Sequence, residues 1–386
     1  MTIVSFSLLV LIVIVGLLGP LLAARASWNL PVVVGEIGGG LLIGASGLGL
    51  VHPGEKSFSL LASIGFGLTM FVVGSRVPVR DPAVRSALGR SLAGAALVGV
   101  VAAALGIGLA SAFGTGHATV YAVVIASSSA ALVLPIINSL GLTGAPILQL
   151  TAQVAIADAV CIVALPLSID PAKAGTVALG ALVITVCAVL LFLLLRNLDK
   201  RGMRQRLHQF SERRKFALEL RISLLLLFGL AALAELTHVS IMLAGFALGL
   251  VVGTIGEPRR LARQLFGITE GFFGPLFFVW LGASINLANL GKNPSMILLG
   301  LCLGLAGIIA HLAARAIGQP WLLAVMAAGQ LGVPVAAATL GVQLHLLKPG
   351  EDAALLLGAL ITIAATTVAA SLRARRSPTP ASTTTS

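Results

Sequence analysis

The stretch QVAIADAVCIVALP, residues 153–166, places one carboxylate, Asp158, inside a run of apolar residues. With its flanks this run covers about residues 146–168, which is long enough to cross a bilayer as a helix. Similar runs recur along all 386 residues, of which 58% are hydrophobic and only 10% are charged. Soluble domains carry about 25% charged residues. The composition therefore predicts an all-α polytopic membrane protein.

Hydropathy divides the chain into thirteen predicted transmembrane helices, separated by turn-forming stretches such as HPGEK, SIDPAK and KPGED. The predicted helices cover residues 4–23, 31–50, 58–75, 91–113, 117–139, 146–168, 174–195, 217–236, 239–254, 264–285, 294–314, 320–345 and 351–371. We expect the first helix to be retained rather than cleaved as a signal peptide, because no positive charge precedes its apolar run.

The distribution of basic residues tests this count of helices. If the N-terminus is outside, the cytoplasmic loops and tail hold 21 of the 25 lysines and arginines, and the opposite side holds four lysines. Because cytoplasmic loops are enriched in basic residues, the sequence predicts a multi-pass protein of the cell inner (plasma) membrane with a cytoplasmic C-terminus. The net charge of +12 could suggest a nucleic-acid partner, but the basic residues lie in loops between apolar runs. This distribution indicates that the partner is the lipid bilayer and not nucleic acid.

A long basic loop, residues 196–216, divides the chain. Six predicted helices precede the seventh helix and six follow the loop. Because one helix separates the two sets, they have opposite orientations in the membrane, as in two inverted six-helix repeats. We therefore expect one transmembrane domain over 1–371, with a first repeat at 1–168, a linking helix and basic cytoplasmic loop at 169–216, and a second repeat at 217–371. Residues 372–386 are expected to form a disordered cytoplasmic tail that no soluble regulatory domain follows.

Asp158 is the first candidate for chemistry. It lies some twelve residues into the sixth predicted helix, at a depth of about 18 Å from the helical rise. An ionised aspartate at mid-membrane costs about 2.5–3.5 kcal/mol on insertion scales, and the sequence places no lysine or arginine within one turn. Asp158 is then either a protonated, hydrogen-bonded packing group or a site that exchanges a proton for a cation.

Two predicted helices contain helix-breaking sequences at matching positions. The fifth contains ASSSAALVLPIINSLG (126–141), and the twelfth, the fifth of its half, contains MAAGQLGVPVAAATLG (326–341). Matching interruptions in two halves indicate the binding site of a secondary transporter, because unwound backbone and serine hydroxyls offer oxygen atoms to a cation. The alternative is an ordinary proline kink in each helix.

The remaining intramembrane polar residues allow weaker predictions. His311, in the eleventh helix, is either a packing residue or a group whose charge switches near neutral pH. We expect Glu36, Glu235 and Glu270 to be helix-terminal or interfacial groups, and the glycines at 35, 38, 39, 40 and 44 to allow close helix packing. No phosphate-binding loop, metal-site spacing or catalytic set is recognisable, so we expect neither a cofactor nor an enzyme.

Several segments carry a family resemblance. The stretches NLPVVVGEIGGGLLIGASGLGLV (29–51), LASIGFGLTMFVVGSRV (61–77), GPLFFVWLGASINL (274–287) and the broken twelfth helix follow one another in the order and spacing of a known pattern. They resemble the bacterial monovalent cation:proton antiporters of the cation:proton antiporter-2 family, of the thirteen-helix sodium/proton exchanger type. The resemblance implies exchange of Na+ or K+ for H+ by alternating access in a homodimer. It also implies a moving core of helices 4–6 and 11–13 and a dimerisation domain of helices 1–3 and 8–10.

This chain departs from the pattern at the site itself. Electrogenic relatives carry two adjacent aspartates, and electroneutral ones usually Asn-Asp, where this chain has Ala157 and Asp158. A lysine of the eleventh helix is matched by His311, and an Arg-Gly-Glu segment by Ala328, Gly329 and Gln330. The predicted ion- and proton-binding residues are Asp158, Ser127, Ser128 and Ser129, with a monovalent cation at Asp158. The predicted site-flanking or pH-tuning residues are Ala157, His311, Gly329, Gln330 and Pro334.

One carboxylate without a lysine favours electroneutral exchange of one cation for one proton. Two alternatives stay open. One is a sodium-coupled symporter of an organic anion, for which His311 is the available cationic group. The other is a transport-inactive membrane sensor, since four charged residues of the family pattern are missing.

Overall fold

The computed structural model describes residues 6–24, 32–76, 82–169, 174–202, 218–237, 239–256, 259–285, 293–344 and 346–376. These residues contain helices and no strand. Ten helices are long and apolar enough to cross a membrane, and two shorter apolar helices cover Val32–Ile43 and Ile241–Ile255. The predicted all-α polytopic fold is confirmed, and each of the thirteen predicted segments contains a helix.

The first half of the chain contains helices that we number in chain order. They are α1 (Phe6–Gly16), α2 (Leu18–Ala23), α3 (Val32–Ile43), α4 (Lys56–Arg76), α5 (Pro82–Phe113), α6 (Ala118–Ala126), α7 (Ala130–Ser139), α8 (Ala145–Ile169) and α9 (Ala174–Lys200). The second half contains α10 (Leu218–Leu236), α11 (Ile241–Ile255), α12 (Arg259–Ile268), α13 (Gly274–Ser284), α14 (Pro294–Leu312), α15 (Trp321–Ala327), α16 (Gly332–Gln343) and α17 (Glu351–Arg376). A π-helical turn, Thr269–Phe273, joins α12 to α13, and a 3-10 turn, Ala313–Ile317, follows α14.

The last helix extends beyond its predicted end. It continues to Arg376, so the prediction of a disordered tail is wrong for residues 372–376. Leu372 and Ala374 pack against the hydrophobic core, and this burial keeps the final turn helical. The rest of the predicted tail, and most of the basic loop 196–216, lie outside the described residues.

The helices form two packed groups. In the first, α3 packs against α13, and α4 packs against both α11 and α13. In the second, α5 packs against α6 and α8, while α17 packs against α14, α15 and α16. The two groups correspond to the expected division into helices 1–3 with 8–10 and helices 4–6 with 11–13.

Close approach between α3 and α13 depends on small residues. A Cβ atom on Gly40 would collide with the backbone of Val279, and one on Gly44 with the backbone of Ala283. The packing prediction is therefore confirmed at these two glycines. It is wrong at Gly38, where a Cβ atom would meet nothing within 4 Å, because this residue faces away from α13.

Candidate ion-binding site

The two sequences expected to break their helices do so. Between α6 and α7, residues 127–129 are not helical, and Ser127 (φ −70°, ψ 145°) and Ser129 (φ −121°, ψ 108°) are extended. Between α15 and α16, residues 328–331 leave the helix. Each break ends one short helix and begins another, so free carbonyl oxygens and free N–H groups face the same region.

The two breaks meet and are joined by hydrogen bonds. The backbone N–H of Ser129 donates to the carbonyl oxygen of Gly329 at 2.7 Å. The hydroxyl of Ser128 donates to Ala327 O at 2.6 Å, and the amide of Gln330 donates to Ile125 O at 3.3 Å. These bonds run in both directions between the broken helices and fix how they cross.

Asp158 lies beside this crossing. Its side chain is only 2% exposed, and its Oδ2 atom accepts a hydrogen bond of 2.9 Å from the backbone N–H of Ala130. Ala130 is the first residue of α7, and the N-terminus of a helix carries partial positive charge and unpaired N–H groups. The first residue of α7, which follows the three serines in sequence, therefore holds the carboxylate of Asp158 next to the break.

His311 approaches the crossing from α14. It is 1% exposed, with Nδ1 2.8 Å from Gly307 O and Nε2 3.2 Å from the hydroxyl of Ser128. Nδ1 must carry a proton, because a carbonyl oxygen only accepts. With a neutral ring, Nε2 and Ala327 O compete for the single hydroxyl proton of Ser128. With a protonated ring, Nε2 donates to Ser128 and Ser128 donates to Ala327 O, so both contacts are satisfied.

Two threonines of α17 support the second break, and the sequence did not indicate them. The backbone N–H of Gln330 donates to the hydroxyl of Thr362 at 3.2 Å, and that hydroxyl donates to Ala359 O at 2.8 Å. The hydroxyl of Thr366 lies 3.3 Å from Val325 O at the end of α15. The last helix thus pairs backbone groups that the break leaves free.

The structure brings most of the predicted site residues together. The residues connected through the crossing are Asp158, Ser128, Ser129, His311, Gly329 and Gln330. Ser127 is buried, but its hydroxyl donates within its own helix to Val124 O at 2.7 Å. Ala157 is buried next to Asp158. Pro334 lies in the first turn of α16, where a missing N–H removes no helical hydrogen bond.

Two cavities lie along different halves of α4, and each is lined by a residue next to one of the helix breaks. The first, of about 480 Å³, is lined by Ala62 in the first half of α4 and also by Gly332, the first residue of α16. The second, of about 610 Å³, is lined near the end of α4 by Val72 and also by Ala131 of α7. Ala131 follows the residue that donates to Asp158. Both cavities are lined by helices of both groups.

The family model of the transmembrane sodium/hydrogen exchangers matches residues 9–374. The chain belongs to the sodium/hydrogen exchanger family. The match covers nearly all of the transmembrane region, including both broken helices and Asp158. This family contains transporters, so the expectation that the protein is not an enzyme is confirmed.

Two bacterial proteins are similar to this exchanger-family chain along its length. A putative Na+/H+ antiporter of Bacillus subtilis, YjbQ, is 26% identical over 380 residues, which are 92% of this chain and 61% of that protein. The Na+/H+ antiporter NhaS5 of Synechocystis is 27% identical over 325 residues, which are 81% of this chain and 45% of that protein. The chain thus spans 61% and 45% of the lengths of these two relatives.

The fold of this exchanger-family member is also similar to a solved structure. The sodium proton antiporter MjNhaP1 from Methanocaldococcus jannaschii, at pH 8, matches with a TM-score of 0.63 and 18% sequence identity. The match covers 96% of both chains. At this identity the comparison supports the arrangement of the helices.

Proposed function

We propose that this protein exchanges a monovalent cation, Na+ or K+, for H+ by alternating access, and that Asp158 carries both ions in turn. The main support is the position of this carboxylate, which is buried beside the crossing of two broken helices. Residues next to the two breaks, Gly332 and Ala131, each line a cavity. A buried ionisable group in a membrane protein marks an ion or proton pathway by default. The family match and the two antiporter relatives support Na+ and H+ as the exchanged ions.

The site supplies oxygen atoms for a cation. Oδ2 of Asp158 is held by Ala130 N, which leaves Oδ1 to face the ion. The hydroxyls of Ser127, Ser128 and Ser129 and the carbonyl oxygens of the breaks complete the coordination, since hard cations prefer oxygen ligands. A proton on Asp158 removes the negative charge that attracts the cation, so the two ions exclude each other and their fluxes are coupled.

A single carboxylate gives the simplest stoichiometry. The residue before Asp158 is the uncharged Ala157, and His311 occupies the position of a family lysine. One cation on a carboxylate and one proton on the same carboxylate are both neutral, so we propose electroneutral exchange of one for one. In proteoliposomes a clamped membrane potential should leave the exchange rate unchanged. A potential generated by exchange would exclude this stoichiometry.

The division into two helix groups supports the proposal of alternating access. The group of α5–α8 and α14–α17 carries the crossing, and we propose that it moves relative to the other group so that each cavity in turn reaches Asp158. The two repeats, 1–168 and 217–371, would then act as inverted halves around the linking segment 169–216. We further propose a homodimer in the plasma membrane, with the N-terminus outside and the C-terminus in the cytoplasm.

The deciding experiment measures cation-dependent dequenching of a pH-sensitive dye in everted membrane vesicles. Na+, K+ and Li+ are added separately, which identifies the cation. Asp158→Asn keeps the shape of the side chain but carries no charge, and it should abolish exchange with every cation. Asp352→Asn makes the same change at a half-buried carboxylate in the first turn of α17 that lines neither cavity, so it serves as the matched control and should retain exchange. Exchange that survives in Asp158→Asn would refute the proposed role.

A further inference from the structure

Glu36 is a buried carboxylate that the proposed exchange at Asp158 does not use. It was expected to be a helix-terminal or interfacial group; its side chain is only 4% exposed. It lies in the second turn of α3, and α2 covers it so closely that a Cβ atom on Gly19 would lie 2.8 Å from Glu36 Cγ. Within the described part of the chain Glu36 has no hydrogen-bond or ion-pair partner. A buried carboxylate without a partner is costly inside a membrane protein.

The carboxylate lines the cavity of about 610 Å³ described above. Thr269 lines the same cavity, is 3% exposed, and has a buried hydroxyl oxygen without a hydrogen-bond partner among the described residues. Thr69 and Asn138 also line it, and the Thr69 hydroxyl donates to Gly65 O at 2.8 Å, which leaves its oxygen able to accept or to coordinate. An unpartnered buried hydroxyl is independent evidence for a ligand in this cavity.

The backbone around Thr269 brings these oxygens together. Thr269 starts the π-helical turn that ends at Phe273, and turns of this type occur frequently at functional sites. A Cβ atom on the following Gly274 would lie 2.7 Å from Thr269 O and 3.8 Å from the Thr69 hydroxyl. Both threonines therefore border the space beside Gly274, where a Cβ atom would collide with Thr269 O and would touch the Thr69 hydroxyl at an ordinary contact distance.

The same cavity continues to the crossing of the broken helices. Ala131 and Pro135 of α7 both line it, and Pro135 has no N–H to donate to the carbonyl of Ala131, four residues earlier. Ala131 directly follows Ala130, whose N–H holds Asp158. The cavity that Glu36 lines therefore extends to Ala131, one residue beyond the N–H group that holds Asp158.

We propose that this cavity contains a second site for a monovalent cation, with Glu36 as its charged ligand and with Thr69, Thr269 and Asn138 as neutral oxygen ligands. This proposal rests on the proposed exchange function. It adds an access step in which the cation is held at Glu36 before it moves to Asp158. By the charge distribution of the loops, this cavity opens to the cytoplasm. The other cavity is lined by Glu235, which lies near the outer end of α10 in the proposed topology. The access site therefore belongs to the cytoplasmic side alone.

Direct binding tests the site without transport. Purified protein in detergent is titrated with 22Na+ in a scintillation proximity assay, as wild type, Asp158→Asn, Glu36→Gln and the double variant. We expect Asp158→Asn to retain Na+ binding, and addition of Glu36→Gln to this background to weaken it at least tenfold. Thr269→Val removes the free hydroxyl with little change in volume, and it should weaken binding several-fold in the same background. Asp352→Asn, which neutralises a half-buried carboxylate in the first turn of α17, lines neither cavity and should change nothing.

Transport then tests the access step. In everted vesicles, Glu36→Gln should raise the half-saturating Na+ concentration about tenfold while the maximal rate stays near that of the wild type. Equal 22Na+ binding by Asp158→Asn and the double variant would overturn the second site, even if the wild type exchanges Na+ for H+. Absence of exchange in the wild type would instead overturn the proposed function, and the binding assay would still decide whether Glu36 holds a cation.

Discussion

The hydroxyl of Thr362 should control both the stability of the site and its affinity for the cation. Thr362 is fully buried in α17, accepts a hydrogen bond from the backbone N–H of Gln330 and donates to Ala359 O. Thr362→Val preserves the shape of the side chain and removes the acceptor. The N–H of Gln330 then remains buried without a partner, inside the break that crosses the three serines.

The structure sets the size of this effect. An unsatisfied buried N–H costs about 1–3 kcal/mol, which corresponds to about 5- to 150-fold in an equilibrium constant. If the break keeps its shape, the whole cost appears as lower stability of the folded protein. If the break relaxes, part of the cost appears as weaker cation binding, because the crossing no longer holds its oxygen atoms in place.

Thr367→Val is the matched control. Thr367 lies on the same helix and is also buried, but its hydroxyl donates only to Ile363 O of its own helix, at 2.8 Å. That carbonyl keeps its helical hydrogen bond when the hydroxyl is removed, so the substitution should be close to neutral. The measurements are thermal unfolding in detergent at one scan rate and the half-saturating Na+ concentration for exchange. Equal results for the two valine variants would refute the supporting role of Thr362.

Two further predictions concern helix packing and pH. Gly40→Val should disrupt the contact of α3 with α13 and lower the thermal stability of the protein. Gly38→Val should have little effect, because a Cβ atom there meets nothing within 4 Å. Similar unfolding temperatures for the two variants would contradict the packing of α3 against α13. His311→Gln should retain more exchange on acidification than the wild type, because a protonated His311 next to Ser128 repels a bound cation. If the half-saturating Na+ concentration keeps the same dependence on pH in this variant, His311 does not tune the exchange.

The position of the site was predictable because a membrane leaves few places for polar residues. Asp158 is conspicuous in an apolar helix, and an interrupted helix must find partners for its free backbone groups. The matching positions of the two breaks in the two halves then indicated that they lie together. The hydrogen bond from Ser129 N to Gly329 O is the contact that this reasoning required.

Other parts of the site depend on packing that the sequence does not encode locally. Glu36 lies close to the start of its helix, where sequence rules place interfacial acids, and it becomes buried only because α2 folds back over α3. Threonines in apolar helices commonly bond to their own backbone, so no local signal separates Thr362 from Thr367. The distinction between Gly38 and Gly40 likewise depends on the rotation of α3 against its neighbour.

The missing charges of the family pattern do not leave the crossing without support. Gln330, in the place of a family glutamate, donates to Ile125 O, and His311, in the place of a lysine, contacts Ser128. Hydrogen bonds between neutral groups thus join the two breaks and can keep one geometry whether or not a cation is bound. Coupled exchange then needs only one group that binds the two ions exclusively, together with access from both sides. Asp158 lies beside a crossing whose neighbours Gly332 and Ala131 each line a cavity, and this arrangement favours an exchanger over a transport-inactive sensor.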